Sequence, residues 1–403
     1  MLEWDHLPRS PKDLPVASPG RRQDASVRGL KEALSAHSAE IRTVLADAGV
    51  LLLRGWAVRS EQDFQLAMLA LGWPPLSDYF PREAGRRPLG QPGCEYVWPT
   101  NSLRQTGAYL SSEVLPHTEN YYAVQMPRYV CFWCHRPAWF GGDTCLIDSA
   151  SVFDDLPKAL QHKLSRSAFR IRRVVSREDL KALYGIHGSA SLQRLREEYA
   201  QRGVRLQPHP ADTDAYELVE FQKPSVLQSS SRTGRRQTSI CFNFGECGVA
   251  AREALLAGLK RRGFFNGPKW AIHRSLWLAA RRWPVFRSFL GHLDAIWLFL
   301  LDASQAFRRW RHPPPHSCVK QTLGDSLSRK QQERLGSALA SHTYAFHWRR
   351  GDILLLDNTR TLHDGLPGFG LRRLRVILLG ELKLPQSLHR LHCGVFAIDD
   401  ETH

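Results

Sequence analysis

Two side chains with metal-binding chemistry stand two positions apart in a short polar segment, residues 115–120. They are His117 and Glu119. In an extended segment, residues i and i+2 project to the same side, so this imidazole and this carboxylate can converge on one ion. The segment therefore predicts part of a metal site.

A third candidate ligand, His363, lies far along the chain in the stretch 347–379. Two apolar runs, 353–356 and 374–379, flank a polar, Gly-containing loop that presents this histidine. Short apolar runs of this kind predict buried strands. An imidazole held between two rigid strands has a fixed direction, which suits a metal. An ordinary loop histidine is the other interpretation of His363 taken alone.

Together, the three side chains have the composition of a known metal centre. Two imidazoles and one carboxylate form the facial triad of non-haem Fe(II) oxygenases, which leaves coordination positions open for other ligands. The predicted triad is His117, Glu119 and His363.

The charge balance of the chain favours acidic partners. The 403 residues include 55 Lys and Arg against 39 Asp and Glu, a net charge of +16 with a pI near 9.8. Nucleic acid, an anionic membrane, an acidic protein or an anionic substrate would be attracted, although an Arg-rich surface without a partner is equally compatible. No apolar run is long enough for a transmembrane helix, and no signal peptide is visible, so we expect a cytoplasmic protein.

The cysteine spacing contains one haem-like motif. Cys131, Cys134 and His135 fit the C-x-x-C-H pattern of covalent haem attachment. The apolar residues around them predict a buried strand instead, and with no export signal the eight cysteines of the chain are expected to be free thiols. Core cysteines are therefore favoured over haem, metal or disulfide use.

The hydrophobic pattern predicts one large domain, 29–403, behind a Pro-rich, loose arm, 1–28. Predicted helices are 27–47, 60–71 with Ser60 as N-cap, 151–164, 189–201 and 328–339; predicted strands are 50–54, 128–135, 145–148, 219–221, 238–243 and 395–398.

A basic, aromatic region, 251–315, interrupts this pattern. Residues 251–312 hold 12 basic and 3 acidic side chains, with tryptophans at 270, 277, 283, 297 and 310. The pattern predicts a helical insertion. Such a segment could contact a membrane surface, nucleic acid, a protein or the substrate, or it could bury its tryptophans and leave its arginines solvated.

Taken in order, several short motifs resemble the taurine dioxygenase-like (TauD/TfdA) family of Fe(II)/2-oxoglutarate-dependent oxygenases, especially its clavaminate synthase-like and syringomycin-type hydroxylase members. The matching pieces are 49–55, 117–119, 141–144, 242–243, 322–325, 348–352, 357–358, 363 and 372–373. The resemblance covers most of the chain, but neither the arm nor the basic insertion.

The resemblance implies a mainly β fold with surrounding helices, a double-stranded β-helix or jelly roll. It also implies Fe(II), 2-oxoglutarate and O2 as cofactor and cosubstrates, with the predicted triad as iron ligands. Thr144 and an arginine, Arg372 or Arg373, would hold the far carboxylate of 2-oxoglutarate, since a guanidinium pairs with both carboxylate oxygens. Neighbouring strand residues face opposite ways, so one arginine faces the iron. Arg372 is favoured because the family's arginine commonly opens this strand.

The implied activity is hydroxylation of an unactivated C–H bond in a small, amino-acid-derived substrate, either free or attached to an acidic carrier protein that docks on the basic insertion. Desaturation or cyclisation by the same cofactors is one alternative, and a non-catalytic basic protein that binds nucleic acid or an acidic partner is another, with nucleic acid the less favoured. Val376 stands where many members hold an anionic substrate group, so a taurine-like sulfonate is not expected. Glu119 argues against halogenation, and Asn120 and Asp357 are expected to orient the imidazoles.

Overall fold

The computed structural model describes residues 2–7, 13–76, 79–81, 94–96, 116–209, 212–230, 236–241, 247–264, 326–366, 368–369, 372–382 and 395–398, with a few isolated positions between 275 and 286. Across these residues, no helix combines the length and the apolar character that crossing a membrane requires.

The strands are β1 Leu2–Leu7, β2 Leu14–Pro19, β3 Val50–Leu53, β4 Cys94–Tyr96, β5 Met126–Arg136, β6 Phe140–Gly141, β7 Thr144–Asp148, β8 Ala168–Ser176, β9 Arg205–His209, β10 Asp212–Pro224, β11 Val226–Ser230, β12 Arg236–Ile240, β13 Thr343–Phe346, β14 Ile353–Asp357, β15 Thr361–Gly365, β16 Gly368–Phe369, β17 Arg373–Leu382 and β18 Val395–Ile398. The helices are α1 Val27–Ala36, α2 Ser38–Ala48, α3 Glu61–Leu69, α4 Ser149–Asp155, α5 Lys158–Ser165, α6 Arg177–Tyr184, α7 Ser189–Gln201, α8 Val249–Arg261 and α9 Arg329–Ser341.

A seven-stranded sheet, ordered β1-β2-β3-β14-β5-β17-β4, forms the centre of the fold. Strands β3 and β14 are buried at every position, because both faces of the sheet are covered there. In β14, Leu354 and Leu356 belong to one buried cluster, whereas Ile353 and Leu355 belong to a second cluster on the opposite face. Helices α1, α2 and α3 supply apolar side chains to the second cluster.

A smaller sheet, ordered β13-β7-β15, contributes to the first cluster through residues such as Leu146, Tyr344 and Leu362. The two sheets therefore share one apolar core, and the candidate site lies along β15. Further three-stranded sheets are β8-β10-β9 and β12-β11-β18, and β16 pairs with β6. The chain is thus rich in strands with helices around them, as predicted.

The prediction of a loose arm over 1–28 is wrong for the described part of that segment. β1 and β2 form an antiparallel pair, and β2 continues the sheet by pairing in parallel with β3. Leu14, Val16 and Ala17 are buried. Burial of these side chains and pairing with β3 outweigh the low strand propensity of Pro15 and Pro19, which lie near the two ends of β2.

The helix predicted over 27–47 is two helices, separated at His37. The helix predicted over 60–71 is confirmed as α3, and Ser60 caps it in a reciprocal pair of hydrogen bonds with Asp63. The helices predicted over 189–201 and 328–339 are confirmed as α7 and α9.

The start of the basic region is helical, since α8 includes residues 251–261. Here α8 packs tightly against α9: a Cβ atom added at Gly336 would lie 2.1 Å from the carbonyl oxygen of Ala251. Most of the remainder, 265–315, lies outside the described residues, as do the motif positions 242–243 and 322–325. The insertion therefore stays a prediction beyond residue 264.

Candidate metal and cosubstrate site

The three predicted metal ligands lie together. One ligand atom from each of His117, Glu119 and His363 can be chosen so that all three atoms are within 4.8 Å of one another. The Nε2 atom of His363 is 3.2 Å from Oε2 of Glu119, and the two imidazole centroids are 4.6 Å apart. Glu119 and His363 are buried, and His117 is half-buried.

Backbone pairing brings the two histidines together. His117 and His363 form an isolated antiparallel bridge in which each N–H donates to the other residue's carbonyl oxygen at 3.1 Å. His363 itself lies in strand β15, opposite Leu146 of β7. The predicted loop position of His363 is therefore wrong, because residues 361–365 are hydrogen-bonded into a sheet. The strand fixes the direction of this imidazole more firmly than a loop would.

Glu119 is held through its backbone by Asn358, a buried residue directly after β14. The Glu119 N–H donates to Asn358 Oδ1 at 2.7 Å, and Asn358 Nδ2 donates to the carbonyl oxygens of Glu119 and Pro127. The Asn120 N–H donates to Oε1 of Glu119 at 3.1 Å, with Asn120 in the left-handed conformation at φ 54°. Asn358 was missed as a support for Glu119, because one asparagine after a strand has no spacing signal.

Asp357 does not orient an imidazole through its described contacts. Its carboxylate accepts hydrogen bonds from Thr359 and from Nη2 of Arg128. These contacts stabilise the turn between β14 and β15. The expectation that Asp357 orients an imidazole is therefore wrong for its described contacts.

The residues present fit Fe(II). Nitrogen donors from two imidazoles and one carboxylate are the set that this ion takes in oxygenases. The buried Nδ1 of His363 has no hydrogen-bond partner among the residues that the structure describes, while Nε2 faces Glu119. The ring of His363 also packs against Phe132, with centroids 5.3 Å apart, so apolar surface adjoins the donor set.

Of the predicted cosubstrate residues, Thr144 lies on the strand that pairs with the strand of His363, and Arg372 is hydrogen-bonded to the turn before Thr144. Thr144 is buried at the start of β7 and pairs with Gly365 of β15, two residues beyond His363. Its Oγ1 accepts a hydrogen bond from Nε1 of Trp348 at 2.8 Å. Arg372, which is 2% exposed, donates from Nη1 to the carbonyl oxygen of Gly142 at 2.7 Å.

Arg373 occupies a different position. It begins β17 opposite Arg136, at an irregularity in the strand register, and is half-buried. The hydrogen bond to the backbone at Gly142, close to Thr144, is made by Arg372. The geometry therefore associates Arg372 with Thr144.

The cysteines of the haem-like motif lie inside β5. Cys131 and Cys134 are buried free thiols, as are Cys145, Cys241 and Cys247. Burial, with a smaller effect from Asp352, raises the pKa of Cys134 to about 12. The prediction of core cysteines is confirmed for these five residues.

Comparison with known proteins gives one family match. The family of the taurine catabolism dioxygenase TauD, TfdA, matches residues 12–259 and 282–378. A curated relative, the dapdiamide synthesis protein DdaC of Enterobacter agglomerans, is 22% identical over 349 residues, 84% of each chain.

Two similar solved structures share less sequence. A taurine dioxygenase from Burkholderia xenovorans is 14% identical, with 94% of this chain and 90% of that chain covered and a TM-score of 0.45. AAD-2 in complex with Mn(II) and N-oxalylglycine is 10% identical, with 94% and 98% covered and a TM-score of 0.44.

Proposed function

Because the chain belongs to the taurine catabolism dioxygenase TauD, TfdA family, whose members use Fe(II), 2-oxoglutarate and O2, we propose that it hydroxylates an unactivated C–H bond of a small, amino-acid-derived substrate. The observation that carries the proposal is the convergence of His117, Glu119 and His363 from two distant segments. When bound, Fe(II) and 2-oxoglutarate supply the oxidation: O2 and 2-oxoglutarate give succinate and CO2, and the second oxygen atom becomes the hydroxyl group of the product.

The side chains of His117, Glu119 and His363 hold Fe(II) in this proposal. The bridge between the histidine backbones and the clamp of Asn358 on Glu119 fix the donors before the ion binds. Preorganisation of this kind reduces the cost of ordering the ligands on binding. The aromatic ring of Phe132 shields one side of His363 from water.

Arg372 and Thr144 bind the far carboxylate of 2-oxoglutarate, with Arg373 as the second candidate. A buried guanidinium can donate two parallel hydrogen bonds to a carboxylate and stays charged at any working pH. Its existing bond to the Gly142 carbonyl orients Arg372 toward the turn that precedes Thr144. The hydroxyl of Thr144 is fixed in turn by the indole N–H of Trp348.

We also propose that the substrate is free or tethered to an acidic carrier, and that the enzyme works in the cytoplasm. The support for a carrier is the charge of residues 251–312 alone. A pull-down with an acidic carrier protein at low and high salt tests this part, since electrostatic docking weakens as salt rises. Binding that does not change with the salt concentration, or the absence of binding, would refute the proposal of a carrier.

Anaerobic titration with Fe(II) and then 2-oxoglutarate tests the proposed function. The wild-type protein is expected to develop a visible charge-transfer band, and His117→Ala is expected to lose it. His342→Ala is the matched control, because His342 lies at the end of α9 and pairs with Asp155. A band of equal strength in His117→Ala, or none in the wild type, would refute the assignment. Product mass then separates hydroxylation, which adds an oxygen atom, from desaturation or cyclisation, which remove hydrogen.

A further inference from the structure

The sheet β8-β10-β9 buries two basic side chains on one face. In its register Arg173 lies opposite Val219, and Phe169 lies opposite Lys223. Paired residues and alternate residues of a strand share a face. Apolar members of this face, including Phe169 and Val219, belong to the main core cluster. Arg173 is 7% exposed and Lys223 is 2% exposed.

The guanidinium of Arg173 is buried and forms no ion pair among the described residues. The buried carboxylate of Glu217 shares this face of the sheet but pairs with Arg196 and Arg177 instead. The Cζ atom of Arg173 lies 4.4 Å from the ring centroid of Tyr122. The Nε and Nη1 atoms of Arg173 are inaccessible and have no hydrogen-bond acceptor within the described part of the chain. The neighbouring Arg172 faces the other way and pairs with Glu220, with Nε to Oε2 at 3.3 Å. The two adjacent arginines therefore have opposite environments.

The ammonium of Lys223 is also directed to the segment after Glu119. Its Nζ donates to the carbonyl oxygen of Asn120 at 3.1 Å. Burial lowers the pKa of Lys223 to about 7, as expected for a desolvated ammonium. The hydroxyl of Tyr122 donates to Oδ1 of the same Asn120 at 3.1 Å. Both basic groups thus contact residues 120–122, which directly follow a proposed iron ligand.

An unpaired buried charge is costly to a folded protein, and stacking on an aromatic ring offsets only part of that cost. A buried, unpaired cationic side chain is a candidate for a functional group, and a cation is suited to binding an anion. We propose that Arg173 and Lys223 bind the α-carboxylate of the substrate, so that the substrate is a free amino-acid derivative. This inference rests on the proposed function.

The bound anion is the substrate and not 2-oxoglutarate. In the proposed function, Arg372 and Thr144 bind the far carboxylate of 2-oxoglutarate, and they lie next to Gly142 and at the start of β7. Val376, on β17, is fully buried and uncharged, so it cannot hold an anionic group of the substrate. Binding of the α-carboxylate also distinguishes a free substrate from a carrier-bound one, because an amino acid attached to a carrier as a thioester has lost its α-carboxylate. The inference thus favours the free form.

Calorimetric titration with propionate and with propionamide tests the inference, since the two probes differ mainly in charge. The protein is kept anaerobic and saturated with Fe(II) and 2-oxoglutarate, which blocks the cosubstrate position. The wild type is expected to bind propionate and not propionamide. Arg173→Met is expected to bind propionate at least about tenfold more weakly, as for the loss of one charge-assisted hydrogen bond.

Arg172→Met is the matched control, because it removes the adjacent guanidinium from the opposite face. It is expected to bind propionate as the wild type does. Lys223→Met gives a second test should Arg173→Met fail to fold. Failure of the wild type to bind propionate, equal binding of both probes, or wild-type affinity in the folded Arg173→Met or Lys223→Met protein would overturn the inference.

The same samples separate this inference from the proposed function. The charge-transfer band of the Fe(II) and 2-oxoglutarate complex is expected to form in Arg173→Met as in the wild type. Loss of propionate binding with the band intact supports the anion site. Absence of the band in the wild type would refute the proposed function, and propionate binding to the metal-free protein would then still report on Arg173.

Discussion

The side chain of Asn358 binds both backbone groups of Glu119, accepting from its N–H at 2.7 Å and donating to its carbonyl oxygen at 3.1 Å. One amide side chain thus replaces a strand partner for a residue that lies in a turn. The carboxylate is thereby positioned by a group that makes no described contact with the carboxylate itself.

Asn358→Ala is expected to weaken Fe(II) binding by about 10–100-fold, the usual effect of removing a group that orients a metal ligand. Fe(II) affinity measured anaerobically, with the melting temperature of the metal-free protein, checks this. Gln222→Ala, at an exposed position of β10, is the control. Wild-type affinity in a folded Asn358→Ala protein would contradict the positioning role.

Arg372→Met is expected to raise the KM for 2-oxoglutarate by about 10–100-fold, because the proposed pairing of this buried guanidinium with the cosubstrate carboxylate is lost. Arg373→Met, at the half-buried neighbouring position, is expected to change that KM by less than about threefold. The comparison uses steady-state 2-oxoglutarate turnover. The opposite ranking would assign the cosubstrate to Arg373.

The thiol of Cys134 is expected to stay protonated and unreactive in the folded protein. Burial raises its pKa to about 12 from an ordinary value of 9.0. Its contribution to stability is therefore complete below pH 9 and is lost as the pH rises from 9 toward 12, because the unfolded thiol ionises first. Denaturant unfolding of the wild type and of Cys134→Ala across this range measures the difference. A pH dependence that is the same in both proteins would contradict the assignment.

Gly336→Ala is expected to destabilise the contact between α8 and α9 by about 1–3 kcal/mol, because the added methyl group overlaps the Ala251 carbonyl oxygen. Gly188→Ala is the control, since no atom lies within 4 Å of the position that its methyl group would take. Chemical unfolding of both variants gives the comparison. An equal change in the free energy of unfolding of the two variants would contradict the predicted overlap at Gly336.

The pair His117 and Glu119 is predictable because ligand type and a spacing of two residues are local signals, and the apolar runs on either side of His363 indicate a rigidly held third donor. The sequence did not predict the bridge between His117 and His363, since pairing between distant segments depends on the whole fold. The Pro-rich N-terminal segment has no strand pattern, so β1 and β2 were not predicted. Their stability comes from the pairing of β1 with β2 and of β2 with β3. Arg172 and Arg173 are adjacent and identical in type, so only the strand register shows that they face opposite sides of the sheet.

Strand β14 separates two buried apolar clusters. Ile353 and Leu355 pack in the cluster that contains the N-terminal helices, and Leu354 and Leu356 pack in the other. The same strand leads directly into Asn358, so the residue that binds Glu119 follows a strand whose other face packs against the N-terminal helices. Occupancy of the iron centre and cohesion of the N-terminal layer are therefore thermodynamically linked. A ligand that tightens one will protect the other from unfolding.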